Sequence, residues 1–164
     1  MTTENKILAL SDFKQVVQHA PLFAIDLVVL NERNDVLVGE RVNAPAKGAW
    51  FVPGGRVYKN ESLEEAFKRI SLNEIGIEIE RKQAGFLGLF DHFYEESFFS
   101  QDVSTHYINA THVVHVSTGL LVLPKEQHET YHWLPIDNMQ LNNAVHKYSK
   151  IFLPELKKWI EDHD

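Results

Sequence analysis

One segment, residues 62–76, carries the strongest pattern in the chain and predicts an amphipathic helix. Ser62 and Glu65 have the spacing of a capping box, in which each side chain bonds the backbone amide of the other residue at a helix start. Apolar residues then recur at helical spacing until Gly76, a residue type that commonly ends helices. Strand-like apolar runs lie on both sides of this helix, so we expect one α/β domain with a mixed sheet.

Seven extended runs and two further helices are expected around that helix. A short N-terminal helix is predicted to start with Ser11 as its cap and to end before Pro21. A C-terminal helix is expected to be interrupted, or to start afresh, near Pro154. With 164 residues and no linker or repeat, the chain is expected to be a single domain, residues 1–164, with residues 1–20 as a helical arm. The strands are predicted at 22–30, 36–41, 50–52, 77–80, 85–92, 106–116 and 131–134.

Charge and residue content argue against several classes of protein. Sixteen Lys and Arg against 23 Asp and Glu give a net charge of −7, which disfavours a nucleic-acid partner bound through a basic surface. The chain has no Cys, which excludes disulfides, thiolate nucleophiles and Cys-based metal sites. Its polar N-terminus precedes no long apolar run, so we expect a cytoplasmic protein without a membrane segment. The glycosylation sequons at Asn60 and Asn109 would then have no meaning.

Glu74 is the most informative single position in the predicted helix. At about 100° per residue, it falls on the same stripe as Leu63, Phe67 and Ile70, so its carboxylate is expected to face inward. Such a group must meet a cation, hydrogen-bond donors or a metal ion, because burying an unpaired charge is costly. The alternative is that the helix end frays and Glu74 reaches solvent.

Groups that can bind an anionic ligand lie near the start of this helix. Gly54-Gly55 predicts a turn whose backbone can approach a ligand, in front of a helix N-terminus that favours anions. Arg41, Arg56 and Arg69 can make paired bonds to phosphate oxygens, although each alone could be a surface charge. Asp26 interrupts an apolar strand, where it faces either a ligand or a solvated surface.

Residues 54–77 resemble a modified Nudix box, the signature G-x5-E-x7-R-E-U-x-E-E-x-G-U in which U is aliphatic. Its spacing is complete, at Gly55, Glu61, Arg69, Glu74, Gly76 and Ile77. Three positions differ, since Ile70 stands for a Glu, Ser71 for the aliphatic residue and Asn73 for the first Glu of the pair. Two metal-binding carboxylates of ordinary Nudix enzymes are therefore missing, so the box is either inactive or adapted to another reaction.

The whole chain resembles the GDP-mannose mannosyl hydrolases, a Nudix subfamily with this same altered box. The similarity runs from the N-terminal helix through Trp133 and Leu134. It implies the Nudix fold, an α/β/α sandwich around a mixed β-sheet, together with a homodimer and a place in surface-polysaccharide sugar metabolism. The segments that carry it are residues 51–57 (FVPGGRV), 92–94 (HFY), 105–107 (THY), 123–124 (LP) and 126–128 (EQH).

The resemblance also implies a role for each candidate site residue. One Mg²⁺ would be bound by the Gly54 carbonyl, Glu74 and Gln127, with the substrate diphosphate and water completing its shell, a set of oxygen ligands that suits this ion. The catalytic residues would be His128 as general base and Arg56 and Arg69 as stabilisers of the departing diphosphate. The substrate-binding residues would be Asp26 on the mannose hydroxyls, Arg41 on the nucleotide or its phosphates, and His92 and Tyr107.

The implied reaction is hydrolysis of GDP-mannose, or of another GDP-hexose, to GDP and free sugar. Water would attack the anomeric carbon in one displacement, with inversion of configuration. Two alternatives stay open: a Nudix pyrophosphatase that cleaves a nucleotide-sugar at phosphorus, and a nucleotide-sugar binding module without catalysis.

Three other features have plainer interpretations. Residues 128–132 read H-E-x-x-H, a zinc-peptidase pattern for which Glu155 could supply a third ligand, but the pattern needs a helix and this segment favours a strand. His112 and His115 are three apart on a predicted strand and should face opposite sides. The acidic and aromatic loop at residues 94–102 could be a lid, a subunit contact or an ordinary mobile loop.

Overall fold

The computed structural model describes residues 8–124 and 128–163, and for residues 128 and 129 it describes the backbone alone. The helices are α1 (Leu10–His19), α2 (Leu63–Ile75), α3 (Ile136–Leu141) and α4 (Leu153–His163). The strands are β1 (Leu22–Leu30), β2 (Val36–Arg41), β3 (Trp50–Phe51), β4 (Gly54–Arg56), β5 (Gly85–Tyr94), β6 (Thr105–His115) and β7 (His128–Leu134).

All seven strands belong to one mixed sheet. Its main path runs β3-β2-β1-β6-β5, β7 pairs with β2, and β4 pairs with β1. The pair β1–β6 is parallel and the others are antiparallel. Strand β1 bonds β2 at its end, with Leu30 opposite Val36, and bonds β4 nearer its start, with Asp26 opposite Gly54. Strands β2 and β4 therefore pair with different parts of β1, and Asp26 lies in the part that pairs with β4.

Two apolar cores cover the two faces of the sheet. Ile25, Leu27 and Val29 of β1 pack with residues of α2 on one face. Val28 and Leu30 of the same strand pack with residues of α3 and α4 on the other. This alternation is the period of two that a strand buried on both faces requires. The expected α/β/α sandwich is confirmed.

Local signals place α2 where the sequence predicts it. The Ser62 Oγ accepts a bond from the Glu65 amide at 3.1 Å, and Glu65 Oε2 accepts one from the Ser62 amide at 2.8 Å. At the other end Gly76 adopts a left-handed conformation with φ of 75°, and a Cβ there would lie 2.6 Å from the Val122 carbonyl oxygen. Both ends of this helix are therefore specified by residues within or next to it.

Four expectations about local structure are wrong. Helix α1 begins at Leu10 after Ala9, without a side-chain cap, so Ser11 is not its cap. Residues 54–56 form β4 instead of a turn, because β1 supplies a partner for them. Residues 77–80 form no strand. The Ile79 amide donates to the Ser71 Oγ at 2.9 Å, and the Ile79 side chain packs against the core residues of α2. Strand β7 starts at residue 128, three residues before the predicted 131.

None of the described helices combines the length and apolar character needed to cross a membrane.

Candidate active site

A cavity of about 340 Å³ brings together most of the residues that the sequence singled out. Gln127 lies outside the described residues, as does the side chain of His128. The backbone of His128 is described, and it pairs with Arg41 across β2 and β7. The eight remaining candidates all line the cavity: Asp26, Arg41, Gly54, Arg56, Arg69, Glu74, His92 and Tyr107.

Glu74 faces inward from the last turn of α2. It is 7% exposed, so the frayed-end alternative does not apply. Burial raises the pKa of this carboxyl to about 7, and the charge of Asp26 acts in the same direction, while Arg41 and Arg69 oppose them. The site therefore contains an acidic group whose charge the protein only partly compensates.

Asp26 is held in the middle of β1, at the cavity wall. Burial raises its pKa to about 7, and a hydrogen bond from Asn109 and the charge of Arg41 oppose this rise. Gly54 lies opposite Asp26 on β4, and any Cβ at Gly54 would overlap the Asp26 carboxylate and lie 2.8 Å from the Ile25 carbonyl oxygen. Glycine at position 54 is thus a steric requirement of the carboxylate beside it.

Arg69 bonds residues at the start of the modified box. Its Nε and Nη2 donate to the two oxygens of Glu61 at 2.7 and 2.9 Å, and Nη2 also donates to the Arg56 carbonyl at 2.7 Å. The guanidinium lies 3.9 Å from the centre of the Tyr58 ring. Arg69 therefore fixes the backbone of Arg56, a structural role that the sequence analysis missed; its predicted contact with a diphosphate stays a prediction.

The Arg56 guanidinium is held by aromatic rings. It lies 4.5 Å from the centre of the Phe13 ring and 5.0 Å from that of Tyr58. Among the described residues no carboxylate forms a salt bridge with it. An arginine oriented by rings keeps its charge available for an anionic ligand.

A neutral aromatic wall closes another side of the cavity. The His92 ring stacks on Tyr148 with centroids 4.4 Å apart and planes 3° from parallel. Burial lowers the pKa of His92 to about 4, helped by His146 and opposed by Asp91. Of the buried side-chain nitrogens and oxygens in the described part of the chain, His92 Nε2 lacks a hydrogen-bond partner. An uncharged imidazole therefore contributes to this wall.

A C-terminal segment, residues 144–149, supports this wall and was not anticipated. The Tyr148 hydroxyl donates to the Phe93 carbonyl and accepts from the Phe93 amide, both at 2.8 Å. The Ser149 Oγ accepts from the Val52 amide at 3.0 Å. The His146 ring stacks on Phe51, which lines the cavity, at 4.5 Å. The segment thus holds two stretches of backbone that flank the cavity.

Asn109 is a further cavity residue that sequence reasoning missed. It lies on β6 two residues after Tyr107, on the same face of the strand, and its side chain is 2% exposed. The period of two along a strand, counted from Tyr107, would have indicated it.

The remaining histidine patterns behave as expected. Residues 128–134 form a strand, so the H-E-x-x-H pattern is not on a helix. His112 is buried and His115 is exposed, as the strand period predicts. No group of three or more His, Asp and Glu side chains suited to a metal ion occurs within residues 8–124 and 130–163. A metal site here would need backbone or amide oxygens as well.

A second cleft, of about 450 Å³, lies away from these residues, between α2 and β5. Its charged side chains pair with one another, with Arg81 3.0 Å from Glu64 and Lys68 4.0 Å from Glu80. The candidate chemical groups lie in the cavity described above and not in this cleft.

Comparisons with known proteins agree with this architecture. The NUDIX domain family matches residues 21–156. The low-salt glycan biosynthesis protein Agl8 of Haloferax volcanii is 41% identical over 97 residues, which are 59% of this chain and 60% of that protein. Thus the match spans less than two thirds of the relative.

Two solved structures extend the likeness over most of the fold. The MutT protein of Methanosarcina mazei Go1 has a TM-score of 0.68 and 19% identity, and the match covers 85% of this chain and 96% of that one. The MutT NUDIX hydrolase of Burkholderia pseudomallei has a TM-score of 0.66 and 25% identity, with 84% and 98% covered.

Proposed function

Because the chain belongs to the NUDIX family of hydrolases, we propose that it hydrolyses GDP-mannose or another GDP-hexose. The products are GDP and the free sugar, and water attacks the anomeric carbon with inversion of configuration. The observation that carries this proposal is the set of side chains presented by the modified box.

Of the box residues Ile70, Asn73 and Glu74, which all line the cavity, Glu74 alone presents a carboxylate to it. Glu74 is acidic and buried, whereas Ile70 is apolar and 1% exposed, and Asn73 is an exposed amide. Among the described box residues that line the cavity, there is therefore no second carboxylate to activate water next to phosphorus. The one carboxylate present could hold a divalent ion that would neutralise a departing diphosphate. This favours attack at carbon, with the water activated by a residue outside the box.

The other groups in the cavity suit the two ends of a nucleotide-sugar. Arg41 and Arg56 supply cationic groups for the diphosphate, with Arg69 holding the backbone of Arg56. Asp26 supplies acceptors for sugar hydroxyls, and His92 and Tyr107 add neutral ring edges to the substrate side. His128, the backbone neighbour of Arg41, is the proposed general base, because a neutral imidazole can take a proton from water near neutral pH.

The described residues fit the implied divalent ion. The Gly54 carbonyl and the Glu74 carboxylate are oxygen donors of the kind Mg²⁺ prefers, and Gln127 would add an amide oxygen. The raised pKa of Glu74 marks a carboxylate whose charge a cation would stabilise. When bound, Mg²⁺ would neutralise negative charge on the departing GDP.

The name of one relative supports a sugar-related substrate. The name of Agl8 places that protein in glycan biosynthesis, and the reaction proposed here consumes an activated sugar of the kind glycan synthesis uses. We further propose that the chain acts in the cytoplasm as a homodimer, in surface-polysaccharide sugar metabolism.

Isotope labelling tests the position of attack. The purified protein is incubated with GDP-mannose and Mg²⁺ in water enriched in heavy oxygen, and the products are analysed by mass spectrometry. Labelled mannose with unlabelled GDP is the expected result. GMP and mannose phosphate would instead show attack at phosphorus, and binding of GDP-mannose without turnover would indicate a binding module.

A further inference from the structure

Asn109 and Thr111 form a buried polar pair in the centre of the sheet. The Thr111 hydroxyl donates to Asn109 Oδ1 at 2.9 Å, and both side chains are at most 2% exposed. Because the amide oxygen accepts from Thr111, the amide nitrogen is the group available to Asp26, whose pKa Asn109 lowers as a hydrogen-bond partner. Asp26 also lies directly opposite Thr111 in the β1–β6 ladder. We call these three side chains, Thr111, Asn109 and Asp26, the relay.

The sheet next to Thr111, on the side away from the cavity, is apolar. In the parallel β1–β6 ladder, Thr111 lies opposite Asp26 and Asn109 lies opposite Ala24. The next residues along this face, Val28 and Val113, are fully buried. An apolar residue would suit position 111 of such a ladder, since a buried polar group must recover its hydration through hydrogen bonds. Packing alone therefore does not account for Thr111, whose hydroxyl bonds the cavity residue Asn109.

The relay and Gly54 constrain the Asp26 carboxylate from two sides. Asn109 reaches it from β6, while the Cα of Gly54 on β4 lies so close that no side chain fits there. A carboxylate held between fixed neighbours presents its remaining acceptor positions to the cavity in one orientation. Such fixed acceptors can distinguish the arrangement of hydroxyl groups on a ligand.

We propose that Thr111 and Asn109 are positioning residues that orient Asp26 toward the hydroxyls of the sugar and thereby set sugar specificity. This inference rests on the proposed function, because it assigns the sugar end of the substrate to the Asp26 side of the cavity. The relay acts on the sugar alone, so its loss weakens binding of GDP-mannose and leaves binding of GDP unchanged.

The test uses Thr111→Val, which keeps the shape of the side chain and removes its hydroxyl, and Thr111→Ser, which keeps the hydroxyl. Thr105→Val is the matched control, because Thr105 is buried on the same strand and donates to the Glu96 carbonyl at 2.9 Å, outside the relay. For each variant KM and kcat are measured with GDP-mannose, and GDP is measured as a competitive inhibitor. Thermal unfolding shows that each variant folds.

We expect Thr111→Val to raise KM for GDP-mannose about tenfold, the loss associated with one hydrogen bond, with the GDP inhibition constant unchanged. Thr111→Ser should restore most of this loss, and Thr105→Val should show none. The preference for GDP-mannose over GDP-glucose should shrink in Thr111→Val. In a double-mutant cycle, Thr111→Val should have little effect once Asp26→Asn is present.

The possible failures are distinguishable. If the unchanged protein neither binds nor hydrolyses GDP-mannose, the proposed function fails and the relay's sugar role fails with it. If the unchanged protein hydrolyses GDP-mannose but Thr111→Val leaves KM and sugar preference unaltered, the inference alone is overturned. Equal losses for GDP and GDP-mannose, or additive effects with Asp26→Asn, would also overturn it, because they indicate a general packing role.

Discussion

Replacing Glu74 by Gln should stabilise the metal-free protein, and the gain should depend on pH. Burial raises the pKa of Glu74 from 4.5 to about 7 in the folded chain. Between these values the folded state keeps a proton that the unfolded state releases, so stability falls as the pH rises from about 4.5 to about 7 and then levels off. A pKa raised this far corresponds to about 3 kcal/mol lost once the carboxyl is ionised.

Glutamine keeps the shape of Glu74 and carries no titrating proton. The variant should therefore match the unchanged protein within about 1 kcal/mol near pH 5 and exceed it by about 2 to 3 kcal/mol near pH 8. Asp26 keeps its own raised pKa, so part of the fall in stability with pH remains in the variant. The free energy of unfolding is measured by urea denaturation, with a chelator present to remove divalent ions.

Glu78→Gln is the matched control, since it makes the same substitution four residues further on at an exposed position. Glu78→Gln should leave unchanged the difference in the free energy of unfolding between pH 5 and pH 8. The reasoning is refuted if Glu74→Gln is equally stable relative to the unchanged protein at both pH values. It is also refuted if the unchanged protein loses no stability between them.

Three further predictions concern the proposed reaction and its site. His128→Gln should lower kcat by at least about a hundredfold with an unaltered circular dichroism spectrum, and near-normal turnover would contradict its role as base. Mg²⁺ should bind about fivefold more weakly at pH 6 than at pH 7, because Glu74 must release a proton before it can bind the ion. Calorimetry in buffers of different ionisation enthalpy should show this proton release. Binding that does not depend on pH would exclude Glu74 as a ligand. Gly54→Ala should lower both the melting temperature and the activity, because the added Cβ would overlap Asp26. Gly119→Ala is the control and should change neither, since no atom lies within 4 Å of its added Cβ. A Gly54→Ala enzyme with normal stability and activity would refute the steric argument.

The parts of the fold that sequence predicts well are specified by nearby residues. Helix α2 is an example, since Ser62, Glu65 and Gly76 set its ends and the helical period places Glu74 on its buried stripe. Strand β1 is a nine-residue, mainly apolar run, and β2 follows it after a short polar turn, an arrangement typical of a hairpin.

The errors arise where a distant partner decides the structure. Residues 54–56 contain two glycines and have little strand propensity, yet β1 pairs with them. Residues 77–80 look like a strand, but the Ile79 amide finds its acceptor in the Ser71 side chain of α2. No property of either segment alone reveals these partners.

The candidate site likewise contains residues that could be predicted from the sequence and residues that could not. The eight described candidates all line one cavity, although their individual roles stay predictions. Six of them were indicated by the residues themselves, whereas His92 and Tyr107 were indicated by resemblance alone. Resemblance did not indicate Asn109, because it lies outside the segments that carry the likeness. Nor did it indicate Tyr148, whose contact with Phe93 joins residues 55 positions apart.

The support that residues 144–149 give to the cavity has a consequence for synthesis of the chain. The bond between Val52 and Ser149 joins residues 97 positions apart, and neither it nor the Tyr148–Phe93 bonds can form until both partners have been translated. A nascent chain can assemble β1, β4 and α2 on the ribosome while one side of the binding cavity is still unsupported. Residues 144–149 follow all seven described strands along the chain, so during synthesis this side of the cavity is completed only after the sheet has been translated.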